Sequence, residues 1–170
     1  AAFTENSRLA LTDRRMTALP HHPLTLGQPA TPGLVDAASG LAGDYLNQFH
    51  EVILLLDLVS EGGDCLADLD GWFPRSYLGH FGASTLAERA MVIDAYMRCM
   101  PVTRRLFDRL CAETGNMVSA GLDALIRGGS AGDAAIVPAA RVLASELREA
   151  VRRLEEIIHP KALGRPAMGL

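Results

Sequence analysis

Val52-Ile53-Leu54-Leu55-Leu56 is the longest uninterrupted apolar run of the chain, and it stops at Asp57. Such a run can be a buried strand that leads into a glycine loop, or the middle of a helix. A buried parallel strand needs partners of its own kind, and no second comparable run exists in the sequence. In helical register the run fits its surroundings. Ala38, Leu41, Tyr45, Gln48 or Phe49, Val52, Leu56 and Val59 recur at spacings of three and four. Thr31-Pro32 supplies a cap and a first-turn proline, and Gly62-Gly63 supplies the stop. The pattern predicts a first helix from Pro32 to Ser60.

The same reading extends along the chain. Thr85 with Glu88 forms a capping-box pattern, followed by a seam of Leu86, Ala90, Ile93, Met97 and Met100. Pro101 predicts a sharp corner and a new helix to Arg127, with Val102, Leu106, Leu110, Met117, Leu122 and Leu125 inward. Gly115 and Gly121 are weak points or close-packing sites in it. A last helix is predicted from Asp133 or Pro138 to Ile158. Ala140, Leu143, Leu147, Val151 or Ala150, Leu154 and Ile158 line its core face, with Glu149–Arg153 and Arg152–Glu156 as surface pairs. The expected fold is all-α: an antiparallel four-helix bundle over 32–160 with a short-helix insert between the first and second long helices. Residues 1–31, broken by Pro20, Pro23 and Pro29, read as an arm, and 161–170 read as a loose tail.

Composition agrees with this class. Of 170 residues, 49% are hydrophobic but only 5% aromatic, so the core is built from Ala, Leu, Val, Ile and Met. Residues 31–95 hold ten acids against Arg75 and Arg89, and residues 96–170 hold eleven bases against eight acids. Side-by-side helices with opposite rims explain this balance, as would an acidic end that meets a basic partner. There is no concentrated basic face for nucleic acid and no apolar run long enough to span a membrane. Three cysteines, Cys65, Cys99 and Cys111, form neither a disulfide framework nor a zinc pattern, and a reducing cytoplasm is the expected setting. Lys161 is the sole lysine, the arginine habit of a GC-rich bacterial genome.

The insert carries the candidate site. Trp72, Phe73, Tyr77 and Phe81 are four of the chain's nine aromatic residues and lie within ten positions, with Arg75 and His80 among them. The segment can plug one end of the bundle, floor a small-molecule pocket, or dock a protein partner; aromatic and Arg side chains are enriched at docking sites. His50, followed by Glu51, is the one phosphoacceptor candidate, off the apolar stripe of its helix, as in histidine phosphotransfer modules. The motifs that continue such a site are missing from its sequence. Glu156-Ile157-Ile158-His159 matches a bundle metal motif once, without the second copy that chemistry needs, and His21-His22 falls in the arm. Neither metal nor cofactor is expected. The expectation is a non-enzymatic regulatory or protein-interaction domain, self-association as a homodimer included, with a small-molecule pocket under 72–81. The alternative is phosphotransfer through His50.

Overall fold

The computed structural model describes residues 33–128 and 134–160. The predicted arm and tail, the Thr31-Pro32 start signal and His21-His22 lie outside the described residues. The described chain is all-α, and no strand occurs in it. Its helices are α1 (Asn47–Ser60), α2 (Tyr77–Ala83), α3 (Arg89–Arg98), α4 (Pro101–Gly128) and α5 (Ile136–Ile158), with 3₁₀ turns at Gly43–Leu46 and Leu66–Leu69.

The predicted first helix is shorter than its periodicity suggested. Residues 33–42 form turns instead. Asp36 Oδ1 accepts from the amides of Ala38 and Ser39, and Gly40 takes a positive φ of 76° against the C-terminal end of α3. A short carboxylate that serves nearby amides competes with the helix ladder, which is why the element starts late. Its stop is as read. Gly63 N–H donates to Leu58 O at 2.8 Å and Gly62 N–H to Val59 O at 3.0 Å, with Gly62 at φ 90°. This paired closure satisfies carbonyls that a helix end leaves free.

α5 is the spar of the fold. Ala140, Leu143, Leu147, Val151, Leu154 and Ile158 are all buried, as their spacing predicted. α1 and α4 both pack along it. α1 runs antiparallel to α5: His50 lies opposite Glu155, Asp57 opposite Arg148, and Ser60 opposite Arg141. α4 approaches α5 closely at Gly121, where an added Cβ would lie 2.6 Å from the Leu143 side chain. Arg152 bridges Glu149 and Glu156 on the outer surface, taking Glu149 from the predicted pair with Arg153.

Two inward faces differ from expectation. On α4, Val102 and Leu106 are exposed, and the buried stripe is Phe107, Leu110, Cys111, Thr114, Val118, Leu122 and Leu125. Phe107 fills the space under the insert, which rotates the core-facing side away from Leu106. On α3, Met97 is exposed, as is Met100 just beyond it, while Val92 and Tyr96 are buried. α3 is ten residues long and packs chiefly on α2, so its heptad seam has no long helix to meet. It starts at Arg89, after turns at 86–88, so Thr85 and Glu88 do not form a capping box.

The face assignment has a direct test. Leu147→Ala should cost about 2–5 kcal/mol in chemical denaturation, the usual range for a fully buried leucine, whereas Leu106→Ala should cost under about 1 kcal/mol. Equal losses at the two positions would contradict the observed rotation of α4.

Candidate functional site

After α1 the chain doubles back through the Leu66–Leu69 turn, which packs on both α1 and α4, and reaches Trp72 after Gly71 at φ 72°. From there it is fixed at successive points. Pro74 sits on α4 at Gly115, where an added Cβ would lie 2.7 Å from the proline ring. Arg75 N–H donates to Gln48 Oε1 at 2.9 Å, and Arg75 O accepts from Tyr45 Oη at 2.8 Å. Ser76 Oγ accepts from Gly79 N–H at 3.1 Å and caps α2. Tyr77 Oη accepts from Ala42 N–H at 2.8 Å. The backbone polar groups of a connection are ordinarily left to water; here several find side-chain partners.

The six candidate residues divide between two surfaces. Tyr77 and Phe81 are buried. Tyr77 stacks on Tyr96 at 4.5 Å between centroids and meets Phe81 at 4.8 Å, Tyr45 at 5.3 Å and Phe107 at 5.7 Å. Such offset and edge-on pairs add to the area that each ring buries. Trp72 and His80 lie at the boundary: Trp72 leans on Phe49 at 6.2 Å, and His80 stands edge-on to Tyr45 and Phe81. Phe73 is 64% exposed, and Arg75 also faces out. Arg75 has no acidic ion-pair partner among the described residues.

Two hollows flank the segment. One, of about 380 Å³, is lined by Asn47, Gln48, Glu51, Trp72, Phe73, Arg75 and His80. The other, of about 420 Å³, lies toward α4, with Ser76, Asp108, Cys111 and Asn116 among its polar walls. Both fall within the size range of small-ligand sites. Burial, and then the nearby Arg75 charge, push the His80 imidazole below its ordinary value, toward the neutral form. Burial raises the Tyr77 phenol to about 12, and the Tyr45 and Tyr96 phenols rise for the same first reason. Tyr96 also donates to Asp108 Oδ1 at 2.7 Å. The Cys111 thiol is pushed up to about 12 by burial, and Cys99 moves in the same direction. A protonated thiol is a poor nucleophile.

His50 is exposed on α1, with Nε2 3.9 Å from Glu155 Oε1. Its shallow cleft also holds Arg152, Glu156 and His159. Arg152 is already engaged by Glu149 and Glu156, so the charge that faces His50 is carboxylate, which repels an incoming phosphoryl group. His159 Nδ1 lies 3.1 Å from Asp36 Oδ2, and this contact, with two backbone amides, holds the Asp36 carboxyl below its ordinary value. Glu156 is taken by Arg152. Among the described residues, no group of three or more His, Cys, Asp or Glu side chains is placed to hold a metal ion.

The reading from sequence missed the frame of this site. Tyr45 and Gln48 appeared only as members of an apolar stripe, and Phe107 and Tyr96 not at all. The available signal was a second stripe on α4, Phe107, Cys111, Thr114 and Val118, masked by the stronger leucine spacing beside it. No protein-family model matches the chain, and neither curated proteins nor solved structures give a match.

The three tyrosines, the chain's full complement, offer a pH test. Each has a folded pKa above the unfolded value, so the stability contributed by the neutral phenols is complete below about pH 10 and falls as pH rises toward the folded values. Tyrosinate absorbance should therefore stay low at pH 10–11 and appear together with loss of helical circular dichroism. Growth of that absorbance in a still-folded chain at about pH 10 would show accessible phenols. His50 has its own test: acetyl phosphate should give no acid-labile adduct, and an adduct lost in His50→Gln would establish the phosphotransfer alternative.

Proposed function

We propose that this chain is a non-enzymatic helical regulatory or protein-interaction domain that recognises its partner with the outward side of the segment Trp72–Phe81. The observation that carries this reading is a large aromatic side chain, Phe73, held in solvent beside Trp72 and Arg75 on a backbone fixed by Gln48 and Tyr45. Leaving an aromatic ring exposed forgoes about 25 cal/mol for each Å² of apolar surface. A segment fixed in advance binds without a further ordering cost. Trp and Arg dominate binding hot spots, and here they flank the exposed ring.

The neighbouring chemistry supports binding over catalysis. The phenols and thiols that face the segment are held protonated, and His80 is biased neutral. A small aromatic ligand in the hollow of about 380 Å³ is the second occupant that this surface suits. Three cysteines without a disulfide between them suit a reducing, cytoplasmic setting.

Phe73→Ala should leave stability within about 0.5 kcal/mol of wild type, as for an exposed side chain, whereas Phe81→Ala should cost about 3–5 kcal/mol. Binding is read at Trp72, the sole tryptophan. Aromatic fragments titrated into labelled protein should shift the Trp72 indole N–H saturably, and Phe73→Ala should abolish the shift. An indole signal that no fragment moves, together with no complex that immobilised wild type retains and Phe73→Ala loses, would reject the reading.

A further inference from the structure

Two helix faces of this chain are apolar, exposed and of opposite charge. The outward stripe of α1 and its C-terminal cap reads Glu51, Leu54, Leu58, Glu61, at spacings of three, four and three. Leu54 is 60% exposed and Leu58 39%. The outward stripe of α4 carries Val102 and Leu106, 58% and 45% exposed, with Arg105 and Arg109 interleaved. Each stripe sets two aliphatic side chains one helical turn apart and adds two like charges along the same face. Glu51, Glu61 and Arg105 have no ion-pair partner among the described residues, and Arg109 reaches Glu113 only at 3.8 Å.

We infer that these faces are the two halves of a self-association surface: α1 of one copy docks on α4 of a second copy. The occupant follows from charge. α1 against α1 would press Glu51 and Glu61 onto their own copies, and α4 against α4 would do the same to Arg105 and Arg109. Like charges brought together cost free energy, whereas the mixed pairing sets an acidic face against a basic one. Guanidinium groups suit this role because they pair with carboxylates in a forked geometry. The contact is heterologous, with different patches on the two copies, so it builds a ring or an open chain of copies. One helix laid on another buries less than a standard interface of about 1,200–2,000 Å², so the association should be weak, on the order of micromolar. This surface goes beyond the recognition role of the 72–81 segment; it uses neither Phe73 nor Arg75 and shares only Glu51 with the hollow beside them.

The test is sedimentation velocity of the full chain from about 1 to 500 μM, at about 0.05 and 0.5 M salt, a range over which exposed charge pairs become screened. Average mass should rise with concentration and fall at high salt. Glu51→Arg/Glu61→Arg and Arg105→Glu/Arg109→Glu should each remain monomeric alone, and an equal mixture of the two should associate again. All four positions are exposed, so circular dichroism and thermal midpoint should match wild type. Leu54→Gln/Leu58→Gln should also be monomeric, and neither position lines the crossover hollow. Fragment binding at Trp72 read on this variant therefore separates failure of this surface from failure of the recognition site. A wild-type chain that is monomeric throughout, reversals that leave association unchanged, or a mixture that stays monomeric would each overturn the inference. So would a monomer whose α1 face instead takes a basic amphipathic peptide, since that assigns the face to another protein.

Discussion

The fold depends on the wedge that the 64–83 connection drives between α1 and α4. Both long helices pack on α5, and the space left between them is filled by rings: Trp72 against Phe49, Tyr77 against Tyr45 and Phe107, with Pro74 seated on Gly115. Protein interiors tolerate few voids larger than a water molecule. A gap of that width demands large rigid side chains, and the chain concentrates its few aromatic residues there. The polar groups that come with the rings are used as fasteners. Tyr45 and Tyr77 each bind a backbone group across the interface, so neither buried hydroxyl is left without a partner.

This wedge makes one short segment serve inside and outside at once. Pro74, Tyr77 and Phe81 point into the molecule, while Phe73 and Arg75 point away from it. The division follows from where the backbone is held. Gln48 and Tyr45 grip Arg75 by its main chain only, which frees its guanidinium, and Pro74 on Gly115 sets the direction of the residue before it. Tyr77 and Phe81 therefore fill the interior while Phe73 and Arg75 stay free on the same fixed backbone.

Charge is segregated in the same way as shape. One acid of residues 31–95 meets an arginine of the later helices on the α1–α5 seam, where Asp57 pairs with Arg148. Exposed pairs of this kind contribute little to stability. The surplus charges on the outer faces of α1 and α4 bear instead on which surfaces can approach one another.

The all-α class and the core face of α5 were determined by the sequence itself. Their cause is local: a 3.6-residue period places Leu143, Leu147, Val151 and Leu154 on one side whatever surrounds them. The Gly62-Gly63 stop is local too, since a left-handed residue at a helix end favours glycine wherever it occurs. The concentration of aromatic residues at 72–81 was legible, but its division into buried and exposed members was not. The short α3 and the rotation of α4 that exposes Leu106 and buries Phe107 were decided by tertiary structure alone, and the start of α1 in part. Each depends on what lies opposite: Ser39 and Asp36 against Ile158 and His159, α2 beneath Tyr96, and the inserted rings beside Phe107. Apolar spacing defines a stripe, but where two stripes overlap on one helix, as on α4, the neighbour with the volume to fill selects which is buried.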